Sequence, residues 1–217
     1  ENVNKGIIIA GMHSSSGKTA VTSLVLAAMH KRGLSFQPFK IGPDYIDPGY
    51  HLHYSAINSV NLDPWIMGQD HVVQAARQFT KNALGVAEGV MGLFDGAMKS
   101  GSFGNGSTAS IAKKIQAPVI LIIDARSQAQ SVAALAKGFR DHDAGLNFAG
   151  VILNRVSSER HAKLLTNSLE SAGLTVFGVI PHLKELELGS RYLGLVQAQE
   201  HRNIEKYIKL FLIIILR

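Results

Sequence analysis

Apolar positions follow two patterns along this chain. Uninterrupted runs such as Gly6-Ile7-Ile8-Ile9-Ala10 and Val119-Ile120-Leu121-Ile122-Ile123 read as short buried strands, and further strands are predicted over 35–40, 84–92, 148–153 and 174–180. Between them the apolar residues recur at helical spacing, as at Val21, Leu24, Val25 and Ala28. Helices are predicted over 18–32, about 69–81, from Ser107 or Thr108 to 114, over 128–140, and from Ser157 or Ser158 to 172. Gly33 and Gly173 stop the first and the last. Asp63, in the turn Asn61-Leu62-Asp63-Pro64-Trp65, is a candidate N-cap for the second, and Trp65 reads as a packing residue. Steady alternation of strand and helix predicts an α/β fold in three layers, a mostly parallel central sheet with helices on both faces. Beyond Pro181 the pattern weakens: 183–205 has helical character, and 206–217 is an atypical apolar tail far too short to span a bilayer.

The chain's 217 residues suit one domain, expected over 1–200, with 201–217 set apart as the tail. The complete lack of cysteine excludes disulfides, thiolate metal sites and a cysteine nucleophile. With no N-terminal signal pattern and no run of membrane-span length, the expectation is a soluble, cytoplasmic protein without a membrane partner. The net charge of +6 points to an anionic partner. Lys and Arg are scattered, however, with no basic run and no interleaved aromatics, which favours a small polyanionic substrate over nucleic acid.

The strongest chemical signal is Gly11-Met12-His13-Ser14-Ser15-Ser16-Gly17-Lys18-Thr19, set between the first strand and the first helix. It reads as a phosphate-binding loop, and the predicted fold becomes a P-loop NTPase. Gly11 and Gly17 let the backbone turn its N–H groups inward, Ser14, Ser15 and Ser16 fill the loop, and the following helix aims its positive end at the same point. Lys18 would neutralise the β- and γ-phosphates of ATP, and the Thr19 hydroxyl would ligate Mg²⁺. Five residues separate the two glycines, one more than the strict template.

Acids at strand ends add to this. The segment Lys40-Ile41-Gly42-Pro43-Asp44-Tyr45-Ile46-Asp47-Pro48-Gly49-Tyr50-His51-Leu52-His53 reads as a loop, with Asp44 and Asp47 beside the strand-end Lys40. Taken alone, a solvated turn whose aspartates cap nearby N–H groups explains it best. His51 and His53 read as surface residues rather than a metal pair, because no third ligand is near. Glu88, where a buried strand stops, reads as a Mg²⁺-associated carboxylate, with Asp124 as its rival. Asp95 follows in a loop and could equally be a turn aspartate. The glycine- and serine-rich stretch 99–106 reads as a mobile lid.

Together, Ser14-Ser15-Ser16-Gly17-Lys18-Thr19, Lys40-Ile41-Gly42-Pro43-Asp44-Tyr45-Ile46-Asp47-Pro48 and Glu88-Gly89-Val90-Met91-Gly92-Leu93-Phe94-Asp95-Gly96 closely resemble the ATP-binding domain of the cobyrinic acid a,c-diamide synthases, over about 6–199. The resemblance implies the fold of dethiobiotin synthetase, whose phosphate loop also carries the longer spacing. It implies ATP-dependent amidation of the a and c carboxylates of cobyrinic acid, or a close corrin precursor, through an acyl phosphate. By the same resemblance Lys18, Lys40, Asp44, Asp47 and Asp95 are catalytic, and Thr19, Asp47 and Glu88 hold Mg²⁺. Gly11, Ser14 to Thr19, Asn154 and Pro181 bind the nucleotide, the last two at the adenine. The solvated-turn reading of Asp44 and Asp47 is thereby overturned.

Members of that family normally continue into a glutaminase domain with a cysteine nucleophile. This chain has no cysteine, so ammonia is expected from solution or from a glutaminase domain or subunit that the chain lacks. Homodimerisation is implied by the resemblance alone. The alternatives are a dethiobiotin synthetase-like carboxylase, an a,c-diamide synthase acting on a nickel-tetrapyrrole precursor, and a partition-type ATPase switch. Gly42 to Asp47 and Met91 to Gly96 weigh against the first. The last usually carries an extra lysine early in the loop, where this chain has Met12 and His13.

Overall fold

The computed structural model describes residues 5–97 and 106–182. Its centre is a seven-stranded sheet in the order β3-β2-β4-β1-β5-β6-β7, formed by β1 (Gly6–Gly11), β2 (Phe36–Ile41), β3 (Val60–Leu62), β4 (Leu84–Glu88), β5 (Val119–Asp124), β6 (Phe148–Val156) and β7 (Val176–Pro181). Every neighbouring pair is parallel, a stricter arrangement than the mostly parallel sheet expected. The connections are α1 (Lys18–Lys31), α2 (Ile46–Ser55), α3 (Pro64–Met67) with α4 (Gln69–Phe79), α5 (Thr108–Ile115), α6 (Val132–Asp141) and α7 (Glu159–Ser171).

The apolar runs are explained by burial on both faces. Ile8, Ala10, Leu121 and Ile123 enter one core with Val72 and Ala76 of α4, Ile111 of α5, Val132 of α6 and Leu165 of α7. Ile9, Ile120 and Ile122 enter the other, against Val21, Leu24 and Leu26 of α1. Successive strand residues serve opposite layers, as the two-residue period requires.

Three local readings are corrected. The turn-rich segment after β2 is a loop only to Tyr45, and α2 then carries Asp47, Pro48 and Gly49 in its first turn, where backbone N–H groups have no helical partner for a proline to remove. Asn61 and Leu62 belong to β3, and Asp63 caps α3 rather than α4, accepting from Trp65 N and Ile66 N. Trp65 is 57% exposed, so it is not a core residue. Apart from Gly106, the stretch 99–106 lies outside the described residues, as do the predicted helix over 183–205 and the tail. Among the described residues no helix is long and apolar enough to cross a membrane.

Candidate functional site

Strand alternation places a row of polar residues at the carboxyl edge of the sheet. Phe39, Ile41 and Ala87 face the core under α4 and α5, so Lys40 and Glu88 leave the opposite face, toward α1. The two are register partners on β2 and β4, and Glu88 also pairs with Ile9 of β1. Asp124, the last residue of β5, and Asn154, its register partner near the end of β6, lie on that same side. Parallel strands bring these ends together where α/β sheets bind ligands, and the loop after β1 lies among them.

That loop is tightly packed. A Cβ on Gly11 would stand 2.2 Å from Ser16 Oγ. Ser16, fully buried, donates to His13 O at 2.9 Å. Gly17 has φ 95°, a conformation that disfavours side chains, and a Cβ there would lie 2.2 Å from Asn154 Nδ2. Asn154 donates to Ser16 O at 3.0 Å, and Arg155 donates to Ser15 O at 2.8 Å. From the β4 side, Leu93 N donates to Gly11 O. Lys18 folds over the loop toward the carbonyls of His13 and Ser14, at 3.3 and 3.4 Å. Burial pulls its ammonium below the ordinary value, against the charge of Glu88; the Lys40 charge adds to the lowering, and Asp47 and Asp95 oppose it.

Beside the loop, three oxygen-bearing side chains converge. Thr19 Oγ1 lies 2.7 Å from Glu88 Oε1 and 3.1 Å from Asp47 Oδ1. Lys40, almost wholly buried, places Nζ 2.6 Å from Asp47 Oδ2, 3.6 Å from Glu88 Oε1 and 3.8 Å from Asp44 Oδ2, and donates to Gly89 O at 2.9 Å. Burial opposes the charge on this lysine, yet Glu88 and Asp47 more than offset it and its pKa lies above the ordinary value. Asp47 shows the complement: burial pushes it up, the Lys40 charge and hydrogen bond pull it further down, and it settles at about 2. Asp44, raised by burial and by its hydrogen bond with Asp47, also accepts from Ile46 N at 2.8 Å.

A hydroxyl and two carboxylates form an all-oxygen donor set of the kind Mg²⁺ takes together with phosphate oxygens and water. No three His, Cys, Asp or Glu side chains among the described residues form a metal cage, so a cation here would draw the rest of its shell from ligand or solvent. The residues present therefore fit a magnesium ion shared with a phosphate.

The remaining predicted residues lie apart from this cluster or turn elsewhere. Asp95 is exposed and accepts from Gly92 N at 2.8 Å, a turn contact. Asp124, the rival to Glu88, is held by Arg126 and Arg155 at 2.7 and 2.6 Å, which keep its carboxyl below the usual range despite burial. Asn154 lies against the loop, its oxygen accepting from Arg155 N. Pro181 ends β7, opposite Val156. Ser14 and Ser15 are exposed on the loop surface.

Two residues escaped the sequence reading. His51 is not on the surface: it is completely buried on α2, with Nε2 2.7 Å from Glu88 Oε2 and Nδ1 3.0 Å from Ser59 Oγ. Its signal was the spacing of Asp47, His51 and Ser55, four residues apart on one helix face. Arg155 adopts φ 61°, a left-handed conformation rare for a side chain of its size, while joining Asp124 to the phosphate loop.

Comparison with known proteins places this geometry in context. A family model described as "CobQ/CobB/MinD/ParA nucleotide binding domain" matches residues 7–195. Proteins named hydrogenobyrinate a,c-diamide synthase are similar: that of Brucella anthropi is 44% identical over 207 residues, covering 94% of this chain and 47% of the relative. That of Rhodobacter capsulatus is 44% identical over 201 residues, covering 93% and 46%. The chain thus spans about half the length of the curated relatives it matches. Among solved structures, the cell division protein FtsY of Thermotoga maritima aligns with TM-score 0.54 at 15% identity, covering 84% of this chain and 65% of that one. A nucleotide-binding protein in complex with ADP from Archaeoglobus fulgidus aligns with TM-score 0.52 at 10% identity, covering 85% and 84%. At these identities the structural likenesses concern the fold alone.

Proposed function

The chain belongs to the CobQ/CobB/MinD/ParA nucleotide binding domain family, and on that premise we propose that it is the ATP-dependent, amide-forming domain of an a,c-diamide synthase acting on a corrin-ring polycarboxylate, cobyrinate or hydrogenobyrinate. The convergence of Lys40, Asp47, Glu88 and Thr19 beside the phosphate loop carries this proposal. The names of the relatives supply the substrate class. The domain is taken as residues 1–200, with ammonia delivered by a glutaminase domain or subunit.

A carboxylate acylates poorly because its leaving group would be oxide. In the proposed reaction a substrate carboxylate oxygen attacks the γ-phosphorus of ATP. The bond from that phosphorus to the bridging oxygen breaks, and ADP leaves with an acyl phosphate formed. Ammonia then adds to the carbonyl carbon, the carbon–oxygen bond to phosphate breaks, and a proton is lost as the amide forms. Loop N–H groups and Lys18 hold the phosphates, while Lys40 brings positive charge to the side where the substrate carboxylate must approach. Thr19, Asp47 and Glu88 would hold Mg²⁺, which neutralises phosphate charge when bound. Asp44, whose raised pKa makes it the readiest proton carrier of the group, stands at the open side of Lys40 as acceptor for the ammonia proton.

The test is release of ADP from Mg-ATP with ammonium chloride, comparing no acceptor, cobyrinate, hydrogenobyrinate and diaminopelargonic acid. Release that depends on a corrin acid and yields its amide is the expected result. Release only with diaminopelargonic acid and bicarbonate would replace the proposal with a carboxylase.

A further inference from the structure

His51 does a job that the amidation chemistry leaves unassigned. It sits one helical turn after Asp47 on α2, and both side chains reach into the same polar cluster. Asp47 meets Thr19 and Lys40, and His51 meets Glu88. Ser55, a further turn along, is also fully buried and donates to His51 O at 2.6 Å. The polar face of α2 thus grips the floor of the site at two points, in a helix that packs against α1.

The hydrogen bonds define what the imidazole does. Nε2 faces Glu88 Oε2, where an ionised carboxylate requires it to carry the proton, and Nδ1 faces the Ser59 hydroxyl, which can either donate to it or accept from it. One carboxylate oxygen of Glu88 is thereby occupied, and the other, Oε1, is the one turned to Thr19 and Lys40. Without the imidazole, Oε2 of this wholly buried carboxylate would lose its partner, and only Thr19 and Lys40 at Oε1 would be left to set its rotamer. We propose that His51 is a positioning residue which, braced by Ser59, fixes the rotamer of Glu88 so that Oε1 is presented to the cation shared with the nucleotide. Orienting partners behind a metal carboxylate typically change metal affinity by about 10- to 100-fold when removed.

This inference rests on the assignment of Thr19, Asp47 and Glu88 to a divalent cation, and its readout is metal binding rather than amide formation, so either can fail without the other. Binding of Mn²⁺ to the full chain with ADP, followed by the electron paramagnetic resonance of free Mn²⁺, is measured alongside ADP binding in EDTA. His51→Leu should weaken Mn²⁺ about tenfold while leaving metal-free ADP binding unchanged. His51→Gln, whose amide nitrogen reaches the position of Nε2, should recover Mn²⁺ affinity to within about threefold of the original. Unchanged Mn²⁺ affinity in His51→Leu, or equal losses in Leu and Gln, overturns the proposal, since the second pattern means lost packing. If His51→Leu does not fold, Ser59→Ala decides: weakened Mn²⁺ with unchanged metal-free ADP binding supports the proposal, and wild-type Mn²⁺ affinity overturns it.

Discussion

Lys40 and Asp47, seven residues apart across the β2–α2 connection, form a 2.6 Å ion pair that is nearly shielded from solvent on the lysine side. Two opposite pKa shifts meet in the pair, each against its own burial: Lys40 moves upward under the charge of Glu88 and then of Asp47, and Asp47 moves downward under the charge of Lys40.

That pair sets a pH window for stability. Asp47 titrates at about 2 in the fold and at 3.8 ordinarily, so its contribution is fully present above pH 3.8 and is lost as pH falls toward 2. Lys40, raised above 10.5, contributes fully below that value and loses its contribution as pH climbs through its folded pKa. Melting temperature against pH should therefore fall at both extremes, and Asp47→Asn should flatten the acid limb. An acid limb unchanged in Asp47→Asn would remove this pair as its source.

Asp47→Asn should also separate chemistry from binding. The amide keeps the shape but removes the charge facing Thr19 and Lys40, so kcat should fall at least about a hundredfold while ATP affinity changes by less than about tenfold. Comparable losses in both would assign Asp47 to nucleotide binding or to structure.

Lys18→Ala is expected to abolish nucleotide turnover without unfolding the domain. The folded state holds this ammonium below its ordinary pKa, so its burial opposes folding at neutral pH, and the variant should melt at the wild-type temperature or above. Normal turnover would remove the phosphate-loop assignment.

Gly17→Ala meets two obstacles, a positive φ and the amide of Asn154 at 2.2 Å from the new Cβ. Nucleotide binding should be lost, with destabilisation of about 1–3 kcal/mol. Asn154→Ala removes the collision together with the hydrogen bond to Ser16 O, so the double variant should regain part of the stability and little of the binding. With Asn154→Ala measured alone, losses that simply add in the double variant would show that the backbone conformation accounts for the whole effect of Gly17→Ala.

The sheet and its phosphate loop were legible because burial on both faces writes unbroken apolar runs, and glycine, lysine and threonine at a strand–helix junction have few other uses. The same sequence hid α2. Pro48 and Gly49 argue for a turn at most positions, but the first helical turn tolerates both, and the three-residue strand β3 was too short to show a period. His51 was misplaced for the same reason, since a histidine on a supposed loop has no buried face to occupy. Asp124 and Glu88 end similar strands, and sequence offered no way to see that two arginines, one of them Arg155, hold the former.

The ties from Asn154 to Ser16 and from Arg155 to Ser15 span 138 and 140 residues of chain. During synthesis the nucleotide loop leaves the ribosome before β2, β3, β4 and β5, and its bracing partners on β6 only after them. Until β6 takes its place beside β5, the loop has lost both contacts from that side, so the growing chain cannot be expected to hold a nucleotide early. Ligand cannot then act as a template for the first half of the fold; it can reward only a nearly finished sheet.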